Sequence, residues 1–162
     1  MKSLQTLCLL CLICFIPFTN LQAQKTKLPP FKVEMANGKE LKASQLPYDR
    51  AILIAYFSPD CEDCQAFISS LIKNIKNFSH TSIVLVTQES RTEMAKFIKK
   101  YKLEQYKNIY VGSEEKTLFL GQYYNLDKLP FVALYNKMGD LQVSHTQHFS
   151  LDAFIKKHKN IL

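Results

Sequence analysis

Cys61-Glu62-Asp63-Cys64 follows the apolar run Ala51–Phe57 through a short Ser58-Pro59-Asp60 link and opens a stretch of helical periodicity. No other feature constrains the fold as tightly: a buried strand ends, a helix begins, and two thiols sit at the junction. A helix N-terminus has unpaired N–H groups and the positive end of a dipole, and both stabilise a thiolate. A spacing of three places the second sulfur one turn along the same face, within reach of a mixed disulfide formed by the first. Cys61, nearer the loop, is the candidate nucleophile and Cys64 the candidate resolving thiol. The same pair also suits half of a zinc site or a permanent disulfide.

The other cysteines narrow these options. Cys8, Cys11 and Cys14 all fall in the apolar run Leu4–Phe18, which Lys2 precedes and Leu21-Gln22-Ala23 follows. That pattern predicts a secretory signal over residues 1–23, cleaved after Ala23, and a single domain over residues 24–162. The run is shorter than the ~20 residues of a membrane-spanning helix, so a periplasmic or otherwise exported chain is expected rather than an anchored one. No small-residue pair precedes any of these cysteines as a lipid-attachment signal requires. After processing only Cys61 and Cys64 remain, and they close a loop too short to contribute much chain entropy. The pair therefore reads as reactive rather than as a staple.

The chain's 162 residues carry a net charge of +7, with lysines scattered over what periodicity marks as outer helix faces. This predicts a solvated basic surface, with attraction to anionic membranes or acidic proteins as the sharper alternatives. Nucleic acid is not expected, because no strand face interleaves aromatic and basic residues. A metal centre needs further ligands; His145 and His148 form the only close histidine pair, and no metal is expected.

Phe31–Met35, the Asn37-Gly38 turn and Glu40-Leu41 read as an N-terminal β-hairpin. Ala51–Phe57 and Ser82–Thr87 are apolar on both faces, as central strands are. Between them, residues 61–77 place Phe67, Ile68, Leu71, Ile72 and Ile75 on one helical stripe. Ser90-Arg91-Thr92-Glu93 is a capping-box pattern opening a helix to about Tyr101. A short strand at Asn108–Val111, a helix at Glu114–Tyr124, a hairpin of Phe131–Tyr135 with Leu141–His145, and a helix from a Ser150 cap to Lys159 complete the chain. This order predicts an α/β fold: a mixed central sheet with helices on both faces.

The chain resembles the thioredoxin superfamily, and within it the exported TlpA-like or redoxin-type thioredoxins. The resemblance spans Phe31 to the C-terminus. It rests on Phe31…Asn37-Gly38-Lys39…Leu41…Ser44-Gln45-Leu46, the strand with Cys61-Glu62-Asp63-Cys64, Tyr124…Leu129-Pro130-Phe131, and Tyr135…Gly139-Asp140-Leu141. It implies a thioredoxin-like fold and a thiol–disulfide oxidoreductase whose only cofactor is its own dithiol. It also implies that Pro130 is a cis-proline packed against the dithiol, and that Leu129 offers its backbone to an extended substrate. Protein or peptide disulfides are the implied substrates, and a membrane-embedded electron donor the implied source of reducing equivalents.

The departures from the family pattern are equally specific. Ala55 stands where many thioredoxins bury an aspartate, Phe67 where TlpA-like proteins often carry a glutamate, and Ser69 at the position of a helix-kinking proline. Asp60 replaces the usual aromatic, and the chain has no tryptophan. Neither buried carboxylate is present to accept the Cys64 proton. Asp60, Glu62 and Asp63 surround Cys61 with negative charge. At ~7 Å one carboxylate costs a thiolate about 0.6 kcal/mol in water and about 2.4 at an effective dielectric near 20. A helix terminus returns about 0.3–1 kcal/mol, so the acidic residues offset the dipole and favour a reductant over a strong oxidant. Two rivals remain open: a non-catalytic thioredoxin-fold module that holds peptides around Pro130, and a peroxidase, for which Ser58-Pro59-Asp60-Cys61 is a partial match.

Overall fold

Two strands without a single exposed residue anchor the structure, a computed structural model that describes residues 26–147 and 151–159. The expected signal, the Ser150 cap and His148 lie outside those residues. β3 (Ala51–Tyr56) and β4 (Thr81–Thr87) are buried throughout, as two-sided apolar runs require. They pair in parallel, and β5 (Ile109–Ser113) extends the parallel block beyond β4. On the other side β6 (Phe131–Tyr135) runs antiparallel to β3, and β7 (Leu141–Thr146) antiparallel to β6. The hairpin of β1 (Lys32–Met35) and β2 (Glu40–Lys42) adds to β5 through Glu34–Ser113 and Met35–Gly112. The result is one seven-stranded mixed sheet in the order β2-β1-β5-β4-β3-β6-β7.

Two glycines make the hairpin's attachment possible. Gly38 has a φ of +79° at the turn the sequence marks. Gly112 lies so close to Val33 that any Cβ would collide with that side chain. Helices α1 (Glu62–Lys73), α2 (Arg91–Tyr101) and α4 (Leu151–Lys159) contribute Phe67, Ile68, Leu71, Met94, Phe97 and Phe154 to one core, together with Leu53, Ala55 and Leu85. The opposite face carries Ile52, Ile54, Tyr56, Val84 and Val86, covered by Phe31, Leu46 and the short α3 (Phe119–Tyr124). Helices thus lie on both faces, and the expected thioredoxin-like α/β architecture holds.

Two helices differ from their sequence reading. The stretch read as helical over residues 61–77 is α-helical only to Lys73; Asn74 leaves the helical region and a 3-10 turn follows over Ile75–Phe78. The expected helix Glu114–Tyr124 shrinks to Phe119–Tyr124. Residues 114–118 instead fold into a turn in which Thr117 and Leu118 donate to the Glu114 carbonyl. Leu118 enters the left-handed region at φ 47°, which ends any continuous α-helix there. The physical cause is Glu114, whose side chain turns inward.

Candidate dithiol site

Cys61 is the N-cap of α1, and its sulfur accepts a hydrogen bond from the Cys64 N–H at 3.2 Å. The helix therefore spends one of its unpaired donors on this sulfur, which favours its thiolate over its thiol. The loop is held from below: Cys61 N–H donates to the Ser58 carbonyl at 3.2 Å, and the Gln65 amide donates to the Pro59 carbonyl at 2.7 Å. The Cys61 thiol also meets the carbonyl of Leu129 at 3.9 Å. The Leu129–Pro130 bond is cis, and Pro130 is buried while Leu129 is half-buried. The structure thus brings Leu129 against Cys61, although 68 positions separate them in the chain.

The two cysteines differ sharply in environment. Both are free thiols, Cys61 partly exposed and Cys64 buried. Burial pushes the Cys64 thiol up from its ordinary 9.0 to about 12, with its hydrogen bond to Cys61 adding in the same direction. The Ser58 backbone offsets part of this. Ala55 and Phe67, at the positions of the family's carboxylates, are both buried apolar residues of the same core as Cys64. Asp60, Glu62 and Asp63 are exposed around the helix start. Among the described residues no group of three or more His, Cys, Asp or Glu side chains converges as a metal centre.

A measurable pH dependence follows. A thiol attacks a disulfide only as its thiolate, and a Cys64 thiol raised to about 12 stays protonated at neutral pH. Resolution of a Cys61 mixed disulfide is expected to accelerate about tenfold per pH unit between roughly pH 7 and pH 10. Rapid-quench timing of a single turnover reads this rate directly. A rate flat over that range would mean that another group takes the proton.

Sequence reasoning missed a buried carboxylate, Glu114, which is 3% exposed. It accepts from the Tyr56 hydroxyl at 2.8 Å, from Leu120 N–H at 2.8 Å and from Gly121 N–H at 2.9 Å. It caps α3 and ties it to β3, on the face of the sheet opposite Cys64. Nothing local distinguishes it from its exposed neighbour Glu115; its partner Tyr56 lies 58 positions upstream. From α3 the chain runs through residues 125–128 to Leu129. Tyr124 stacks on Phe131 with ring centroids 4.4 Å apart, and its hydroxyl lies 2.6 Å from that of Tyr135.

A model of the AhpC/TSA family matches residues 25–140, a span that includes both cysteines, Leu129 and Pro130. No curated protein matches the sequence. Among solved structures, a peroxiredoxin-like protein from Aquifex aeolicus superposes with a TM-score of 0.71 at 14% identity, over 85% of this chain and 86% of that one. A thiol-disulfide oxidoreductase from Bacteroides fragilis gives 0.67 at 19% identity, over 84% and 99%. A secreted disulfide oxidoreductase from Mycobacterium tuberculosis gives 0.67 at 17% identity, over 81% and 96%. At these identities the likeness is one of fold. With the family match covering most of its length, the chain belongs to the AhpC/TSA family, has the fold of the thioredoxin superfamily, and is an oxidoreductase.

Proposed function

We propose that this protein is an exported thiol–disulfide oxidoreductase that reduces protein or peptide disulfides through Cys61 and Cys64. The observation that carries the reading is the asymmetry of the pair: one partly exposed sulfur at a helix N-cap, one buried thiol a turn behind it. The Cys61 thiolate attacks a substrate disulfide, forming a mixed disulfide and releasing one substrate thiol. Cys64 loses its proton and attacks the Cys61 sulfur, releasing the second thiol. Two electrons pass from the dithiol to the substrate, and Cys61–Cys64 is left oxidised. A membrane-embedded thiol donor restores it, and no other cofactor enters. Leu129 supplies backbone contacts to the extended substrate beside Cys61. Export is supported by the signal pattern of residues 1–23. No helix among the described residues is long and apolar enough to cross a membrane.

The non-catalytic rival draws support from one observation, the apolar surroundings of Cys64, which offer no carboxylate at Ala55 or Phe67. The reduction potential separates the two. An active reductant is expected near the thioredoxin value of about −270 mV, well away from the oxidant end at about −120 mV. A disulfide that protein thiols and dithiothreitol cannot reduce would favour the binding module.

The acidic residues tune that potential. Glu62 and Asp63 are exposed, so the aqueous figure of about 0.6 kcal/mol per charge applies rather than the larger one. Converted at 30 mV per 1.4 kcal/mol, neutralising both to Gln and Asn is expected to raise the potential by about 20–30 mV. Equilibration against a glutathione series measures it. A fall in potential would contradict the electrostatic account.

A further inference from the structure

Gln65 is bonded to the dithiol loop at two points that straddle Asp60. Its N–H donates to the Cys61 carbonyl at 3.0 Å, as the first helical turn requires. Its side-chain amide reaches six positions back, outside the helical ladder, and donates to the Pro59 carbonyl at 2.7 Å. The half-buried Gln65 is itself tied into α1, because its carbonyl accepts from the Ser69 hydroxyl at 2.8 Å.

The segment held in this way serves both sulfurs. The Ser58 carbonyl accepts from Cys61 N–H at 3.2 Å, and the Ser58 backbone also bonds to the Cys64 thiol, easing its ionisation. Upstream, Phe57 N–H donates to the Val86 carbonyl at 2.9 Å, which pins the end of β3 to β4. Pro59 has no N–H with which to anchor itself, and its carbonyl takes the Gln65 amide instead. The loop is thus fixed to the sheet at one end and to α1 at the other. With Ala55 and Phe67 buried and apolar beside Cys64, closure of the pair depends on where this loop holds the two sulfurs.

We propose that Gln65 is a positioning residue for the dithiol: its side-chain amide, bonded to the Pro59 carbonyl, holds the Ser58–Asp60 loop so that Cys64 can close on Cys61. The proposal rests on the oxidoreductase reading above and concerns its second step. There the Cys64 thiolate attacks the Cys61 sulfur, the Cys61–substrate bond breaks, and the substrate leaves as a thiolate. Attack by Cys61 on the substrate needs only an accessible sulfur, whereas closure needs both sulfurs in register. Gln65 therefore acts on the second step and not on the first.

Gln65→Met keeps the length of the side chain and removes its donor. It is expected to slow resolution of the Cys61 mixed disulfide by about 3–10-fold, the worth of one net hydrogen bond, and to leave attack unchanged. Attack is timed in a Cys64→Ser background with hydroxyethyl disulfide, and resolution by rapid quench with Cys64 present. The same loss of closure should raise the reduction potential by about 15–30 mV, at about 30 mV per tenfold. Gln65→Ala, which shortens the side chain, should repeat both effects. Ser69→Ala removes a hydrogen bond from the same helix without touching the loop and should change neither. Equal slowing of attack and resolution in the folded Gln65 variants, or an unaltered potential, overturns the positioning role. Wild-type protein that reduces hydroxyethyl disulfide while the variants fail in that way loses the positioning role alone. Wild-type protein that cannot reduce it loses the oxidoreductase reading and the positioning role together.

Discussion

Glu114→Ala is expected to lower the unfolding free energy by about 3–5 kcal/mol, among the largest effects of any single substitution in this chain. The change strands the Leu120 and Gly121 N–H groups and leaves the Tyr56 hydroxyl with Gln88 alone; all three donate to this carboxylate. A hydrogen bond to a charged group contributes about 1.5–3 kcal/mol, and a buried donor left without a partner costs about 1–3. The individual losses share one site and do not add fully. Tyr56→Phe removes one partner only and is expected to cost about 1 kcal/mol. Urea denaturation of both variants and of the double mutant measures the coupling. A loss below about 1 kcal/mol for Glu114→Ala would mean that α3 is held by its apolar contacts alone.

Cys61→Ser is expected to slow attack on a protein disulfide by more than about 10³-fold, because the remaining thiol is buried, and burial, the largest cause of its raised pKa, persists in the variant. Cys64→Ser has the opposite signature. Attack survives and release does not, so mixed disulfides with substrate proteins accumulate. Non-reducing electrophoresis after incubation with a disulfide-bonded protein distinguishes them. Adducts trapped through Cys61→Ser would reverse the assignment of the two sulfurs.

Legibility in the sequence followed the range of the interaction responsible. β3 and β4 could be read because burial on both faces leaves a continuous apolar run, visible within a few residues. Ser90 and Glu93 announced α2 locally, and the Ser90 hydroxyl does accept from Glu93 N–H at 3.3 Å. The dithiol was legible for the same reason, since strand, loop and helix follow one another directly. Glu114 was not, because its inward turn depends on a tyrosine in another strand. A cavity lined by Ser70, Pro130 and Gln147 was equally hidden: they come from three separate segments, and nothing near any of them in the chain marks a wall.

Residues 26–28 have a bearing on how the domain is held. The Leu141 N–H donates to the Thr26 carbonyl at 2.6 Å and the Leu28 N–H to the Gly139 carbonyl at 2.8 Å, while Lys27 pairs with Asp140. This short segment is thus stitched to the turn between β6 and β7. That turn follows Tyr135, which pairs with Ile52 near the start of β3, whereas Phe131 pairs with Tyr56 at the end from which the chain enters the dithiol loop. Stem and sulfur therefore occupy opposite poles of the sheet, a strand length or roughly 17–20 Å apart. Were the leader retained as a tether, the domain would stand on the bilayer like a lamp on its base, with Cys61 facing outward. Exported disulfides could reach it freely, but a donor confined to the membrane plane could not unless the domain tipped over or the leader was cut.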